Sequence, residues 1–458
     1  MLPLPLRLAL ALLATVAALP LAAAPAPGWQ AGTGREKITP PAGVWMTGYA
    51  SRDRPADGAA QDLWVKALAL ADSEGRRGVV LTLDLCGITR EITDAVAAEL
   101  ERRYQVPRAS VLVNVSHTHC SPWLSGNLMG LRPLTAEGIR RGEEYTRTLA
   151  PRMIAAAAQA LEHLGPATVS WAEDEAHFGF NRRENAEPQI SALRAAGKVK
   201  GPFEPRVPVL AVRGAGGQLQ ALLVSYACHN TTLSDFQWHG DYAGSAQVEL
   251  ERRHPGALAL FAIGCGADIN PGPRRTREMA DQHGKDLADA VDRALARKAR
   301  ALEPRLRTGW QDVTLRFSRL PTAEEIETAR TKQQPNRAMH QGWAEAVAER
   351  QRLLGDKALE YSYPVQAWRL GSLAWVALGG EVVIDYSIRL RRETPGDLWV
   401  LGYSNDVMAY IPSERVLAEG RYEGETSMIP YGKPSKWAPG LEEQIVSTAQ
   451  TLLKRTAE

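Results

Sequence analysis

The chain has 458 residues, 45% of them hydrophobic and 23% charged, a balance that supports a packed core and excludes a disordered polymer. Its 54 basic and 52 acidic residues leave a formal charge of +2, which gives no electrostatic footprint for nucleic acid. Four cysteines in so long a chain exclude a disulfide scaffold.

Residues 1–26 carry one early charge, Arg7, then an apolar core from Leu8 to about Leu21 and a run of small residues. That layout predicts a cleaved secretory signal, cut near Ala23 to Ala26, and a periplasmic or secreted protein. The apolar run is shorter than the ~20 residues of a membrane span and contains Pro20. No later segment is apolar for that long, so the mature chain is expected to lack a transmembrane segment.

Beyond the leader, apolar runs of strand type alternate with helical patterns. RGVVLTLDLCG (77–87) reads as a buried strand, REITDAVAAELERRY (90–104) as a helix with Ile92, Val96 and Leu100 on one face, and SVLVNV (110–115) as the next strand. Together they predict a βαβ unit with a parallel strand pair. Residues 143–164 read as a long helical stretch interrupted by Pro151. ATVSWAE, VPVLAVR and LQALLVSYACHN follow as strands, AGSAQVELERR as a helix, ALALFAIG (257–264) as a strand and Arg275 to about Ala299 as a helix. Residues 302–363, polar and rich in Arg, Gln and Glu, are expected to form a helical insertion. Then come a hairpin over 367–381 turned at Gly371–Ser372, a strand over 397–405 and a C-terminal helix from about Leu441. The fold expected is one large α/β domain over residues 27–458, with mixed sheets flanked by helices and an active site at the C-terminal ends of the strands.

Polar residues gather at those ends. His117 and His119 close one strand, His229 another; Asp268 and Asn270 follow a third, Glu381 a fourth and Asn405 a fifth. In VLVNVSHTHCSPW (111–123), extended geometry kept up to residue 119 would put both imidazoles on one face, because strand side chains alternate. Paired imidazoles suit metal ligation or proton transfer. Taken singly, each candidate also has an ordinary reading: His229 as a satisfied core histidine, Glu381 as a loop acid behind Gly379–Gly380, Tyr410 as a packing tyrosine, Arg182 as a surface arginine. Cys120 and Cys228 adjoin histidines and so point to the opposite faces; packing is expected for all four cysteines, with a Cys120–Cys228 disulfide as the lesser alternative.

ITPPAGVWMTGYASR (38–52), SHTHCSP (116–122), FNRR (180–183), ACHNTTL (227–233), GDYAGSAQVELE (240–251), GCGADINP (264–271), GGEVVIDYSIRLR (379–391) and GYSNDVMAYIPSE (402–414) stand in the order in which similar motifs stand in the neutral/alkaline ceramidases, and the chain resembles that family over nearly its whole mature length. The resemblance implies a zinc-dependent amidase with one Zn2+ per chain. It implies His117, His229 and Glu381 as ligands, Tyr410 on or near the metal, His119 as the adjacent active-site histidine and Arg182 in the substrate pocket. Two imidazoles and a carboxylate leave a tetrahedral zinc one open position. His119 would then act as general acid/base, and Tyr410 and Arg182 would support the oxyanion or a substrate oxygen. No GxSxG points to a covalent serine route.

The chain departs from the family in two places. Cys120-Ser121-Pro122 stands where the ceramidases have Ser-Gly-Pro, and Asn270 in GADINP stands where they carry a serine. Asn270 can still hydrogen-bond substrate, so hydrolysis stays implied while sphingolipid specificity does not. The family's C-terminal immunoglobulin-like domain is expected to be absent. The expected partner is a small-molecule or lipid N-acyl substrate, with peripheral membrane contact as an option and no nucleic acid; oligomeric state is not legible. A zinc esterase of the same fold and a non-catalytic ligand-binding descendant are the alternatives.

Overall fold

The computed structural model describes residues 28–333 and 336–458; the expected secretory signal lies outside them. Eight strands make the main path of a nine-stranded mixed sheet: β1 (Trp29–Lys37), β2 (Trp64–Ala71), β3 (Arg77–Leu83), β4 (Val111–Val115), β5 (Gly165–Glu175), β6 (Arg206–Gly214), β7 (Leu219–Tyr226) and β8 (Leu258–Ile263). Their spatial order is β8-β7-β6-β5-β1-β2-β3-β4, and the short strand Arg300–Ala301 pairs β5 off this path. The pairs β3/β4 and β7/β8 are parallel. The helix Arg90–Tyr104 bridges β3 and β4, as the βαβ pattern predicts.

A second sheet holds β9 (Leu306–Arg316), β10 (Glu360–Leu370), β11 (Leu373–Leu378) and β12 (Leu398–Leu401), in that order. Alternation along the strands sorts the core. Val65, Ala67 and Ala69 of β2 pack with Val96, Met153, Leu250 and Leu287 of the helices on one face. Leu68 and Leu70 point the other way, against Trp171, Trp368, Trp375 and Trp399 between the two sheets. The helix Leu441–Ala457 covers the outer face of β9 and β10.

Two expectations need correction. The segment 302–363 is not helical throughout: its ends are the long strands β9 and β10, paired in antiparallel register from Leu306↔Leu370 to Arg316↔Glu360. Helices occupy only Ala323–Thr331 and Arg337–Leu354. Because β9 is an edge strand with many half-exposed positions, its polar sequence hides the period of two. Within 143–164, the break falls at Thr148, between helices Ala136–Arg147 and Leu149–Glu162. Pro151 lies in the first turn of the second helix, where no backbone N–H is required of it.

The strand ends converge through one buried amide. Asn114 of β4 accepts from the Ile263 N–H of β8 at 2.8 Å and donates to the Gly402 carbonyl at 2.8 Å, the Ser404 hydroxyl at 3.1 Å and the Ile263 carbonyl at 3.3 Å. A single side chain thereby ties both edges of the large sheet to the end of β12. No helix among the described residues is long and apolar enough to cross a membrane.

Candidate metal centre

His117 and His119 do not share a continued strand. β4 ends at Val115, and His117 turns left-handed at φ +60°, a conformation costly for a residue with a Cβ. The turn, rather than strand alternation, brings the two rings together, with Nε2 to Nε2 at 3.1 Å. His229 sits three residues past β7, anchored where its N–H donates to the Ile269 carbonyl at 2.8 Å. Glu381 and Tyr410 are opposed in a short parallel ladder, Glu381↔Tyr410 and Val382↔Ile411, so register alone makes them neighbours. Gly380 just before them has φ +74°, and a Cβ there would come within 2.6 Å of the Ala409 carbonyl; only glycine permits this approach.

These elements bring one ligand atom each from His117, His229 and Glu381 within 4.8 Å of one another. The Glu381 Oε2 lies 3.1 Å from His117 Nε2 and 3.2 Å from His229 Nε2. All three side chains are buried. The Nδ1 of His117 faces the Cys86 carbonyl at 2.5 Å, and that of His229 faces the Gly266 carbonyl at 2.7 Å. A carbonyl can only accept, so each Nδ1 carries the proton and each Nε2 presents a lone pair. Two lone pairs therefore converge on a carboxylate oxygen that has no hydrogen-bond partner. Acceptors so placed repel unless a cation stands between them, and this donor set of two imidazoles and one carboxylate fits zinc with a position left open.

The same crowding sets how these side chains titrate. Burial opposes charge on His117, yet the Glu381 carboxylate outweighs it and holds the ring well above the usual imidazole value. Burial likewise acts to raise Glu381, and the His117 charge outweighs it and holds the carboxyl well below its usual range. His229 falls to about 4, through burial and the Arg182 charge. His119 is held well below the ordinary value by burial and by its two histidine neighbours.

Around the triad, Tyr410 puts its hydroxyl 3.3 Å from His229 Nε2. Arg182 donates to that hydroxyl at 3.1 Å, to the Asn270 amide oxygen at 3.3 Å and to Glu423 at 2.8 Å. FNRR and GADINP meet in an antiparallel ladder, with Asn270 opposite Phe180, which explains how residues far apart in sequence align. Every residue singled out at the sequence level as ligand or catalytic group is thus in one cluster: His117, His119, Arg182, His229, Asn270, Glu381 and Tyr410. Asp268 and Asn405 are not in it. Asp268 accepts from the Ile384 N–H and from Asn181, and Asn405 bonds Val113 and Gln366; both are struts. The four cysteines are free and buried.

Four side chains escaped the sequence reading. Tyr431 donates to Glu381 Oε1 at 2.5 Å. Tyr49 packs edge-on against His119, ring centroids 4.7 Å apart, and Arg52 donates to the His119 carbonyl at 3.0 Å. Glu423 anchors Arg182. Tyr49 and Arg52 lie within the quoted motif 38–52, which carried no assigned role; Tyr431 and Glu423 lie outside every motif.

The family model for the neutral/alkaline non-lysosomal ceramidase N-terminal domain matches residues 29–262, half of the chain. The chain belongs to that family. Neutral ceramidase 2 of Arabidopsis thaliana is 35% identical over 94 residues, which are 20% of this chain and only 12% of that protein's length. Two solved structures share the fold: a ceramidase complexed with C2, at TM-score 0.70 and 17% identity over 93% of this chain and 74% of the other, and neutral ceramidase from Pseudomonas aeruginosa, at 0.69 and 18% over 93% and 73%. His117, His119, Arg182 and His229 fall within the family match. Asn270, Glu381 and Tyr410 fall beyond it, so geometry alone joins them to the site.

Proposed function

We propose that this ceramidase-family chain is an exported zinc-dependent hydrolase that cleaves the N-acyl bond of a ceramide-like lipid or related N-acyl compound. His117, His229 and Glu381 would hold the ion, with Tyr410 at its side. Zinc bound there supplies a Lewis acid that polarises a carbonyl and acidifies water. The chain's own residues account for the rest. His119, kept neutral by its surroundings, takes the proton of the attacking water at Nε2. Its buried Nδ1 has no partner, so no carboxylate holds the imidazolium by a hydrogen bond there, and the proton passes on to the leaving amine. Tyr410, oriented by Arg182, donates to the carbonyl oxygen as charge builds there. Export is supported by the N-terminal pattern of charge, apolar core and small residues.

The observation that carries this reading is the convergence of two Nε2 lone pairs on the unpartnered Glu381 oxygen. The test is hydrolysis of N-dodecanoylsphingosine and of N-dodecanoyl amino acids by protein stripped with a chelator and then resupplied with zinc. Amide cleavage lost on stripping and regained with zinc supports the reading. Cleavage of esters alone would favour the zinc esterase, and zinc-independent binding without turnover the non-catalytic descendant.

A further inference from the structure

A cavity of about 490 Å³ lies beside the metal centre, walled in part by Arg182, Asn270 and Tyr422. It is one side chain removed from the ligands, since Arg182 bonds Tyr410 and Tyr410 reaches His229. Its remaining wall is unusual for a lipid site: Arg183, Arg274 and Arg421 join Arg182, and the only lining carboxylates are Glu187 and Glu423. Those acids are already engaged. Glu423 takes Arg182 and Arg183 at 2.8 and 2.6 Å, and Glu187 takes Arg274 together with Arg275 at 3.0 Å.

Arg183 is shared further with Glu419, outside the lining, at 2.6 Å, and the lining itself carries four arginines against two acids. Arg183 Nε and Arg274 Nε are buried without a hydrogen-bond partner. Arg421, exposed at the rim, donates to the Arg183 carbonyl and, among the described residues, pairs with no carboxylate. Arginines that outnumber the acids lining a cavity suit an anion, with planar forks matched to carboxylate and phosphate oxygens. An uncharged diol headgroup leaves that positive excess uncompensated. Tyr422, 44% exposed, stands between cavity and centre with its ring 5.3 Å from that of Tyr410 and the Arg182 guanidinium 5.7 Å from its own.

We propose that this arginine-lined cavity receives an anionic group of the substrate, so that the chain acts on N-acyl compounds bearing a carboxylate or phosphate close to the amide in preference to neutral ceramide. The inference rests on the hydrolase reading above and narrows it. Carboxylate and phosphate are told apart by two pairs that differ in a single anionic group: N-dodecanoylglycine against N-dodecanoylglycinamide, and ceramide 1-phosphate against ceramide, each measured as kcat/KM on zinc-loaded protein. Preference of tenfold or more for the charged member of either pair is expected, the effect of about one charge-assisted contact, and it identifies the anion. In R421Q, and independently in R274K, that preference falls at least fivefold, with the loss in KM rather than kcat. Equal turnover of both members, or preference for the uncharged ones, overturns the proposal while leaving the hydrolase standing. No turnover of any of the four compounds sinks both.

Discussion

Tyr431 offers a sharp test because it touches the site through a single atom. Its hydroxyl donates at 2.5 Å to Glu381 Oε1, the oxygen facing away from the two histidines. Tyr431→Phe removes one oxygen from a ring that is 4% exposed, so packing is kept and only the donor is lost. A hydrogen bond to a charged acceptor is worth about 1.5–3 kcal/mol. Part of that is recovered if water reaches the site, which burial resists. The bond also fixes the rotamer that sends Oε2 toward the imidazoles, and without it Glu381 must be ordered on binding. Zinc affinity is expected to fall by about 10- to 100-fold, the usual effect of losing a group that orients a ligand. Competition against a fluorescent zinc chelator, read beside thermal unfolding of the zinc-free protein, measures it. An unchanged zinc affinity in a properly folded Y431F would refute the claim that Glu381 is a positioned ligand.

His119→Ala is expected to retain zinc and to lose roughly 10²–10⁴ in kcat, as for a general acid/base; metal loss equal to that of His117→Ala would make residue 119 a ligand instead. Asn114→Ala strands the Ile263 N–H and the acceptors at Gly402 and Ser404, so denaturant unfolding should show a loss of about 3 kcal/mol or more, and a loss under about 1 would contradict its role as the clasp of the sheet edges. Asp406 is raised to about 6 by burial, above its usual value of about 4. The folded state thus favours its protonated form, and its contribution to stability is full at low pH and lost as pH rises from 4 through 6. Relative to Asp406→Asn, the native chain should lose up to about 3 kcal/mol across that window, and parallel stability curves for the two would rule this out.

Much of the scaffold was legible because burial imposes a period. The runs at 78–83, 111–115 and 258–263 are apolar but for Thr82 and Asn114, as strands covered on both faces tend to be, and the helix 90–104 shows its buried stripe at Ile92, Val96 and Leu100. β9 was not legible, since an edge strand can leave polar residues at positions a central strand must fill. The site was legible as a set of strand ends, but not in its local geometry. HTH reads as extended chain, whereas His117 is held left-handed by long-range contacts that no window of sequence contains. Asp268 and Asn405 show the converse: polar residues at strand ends that bond buried backbone and never reach the His117–His229–Glu381 cluster. Tyr431 and Glu423 were invisible because an isolated tyrosine or glutamate in a loop has no periodicity, and only the fold shows which oxygen it meets.

Two imidazoles and one carboxylate, gathered from three distant segments of the chain, are proposed to share one divalent cation. Elemental analysis of the purified chain beside His229→Ala and Glu381→Gln tests it directly. About one zinc per chain in the native protein and little in either variant is the expected result. Native protein that hydrolyses its substrate with no bound metal, or variants that hold zinc as tightly as the native chain, would contradict it.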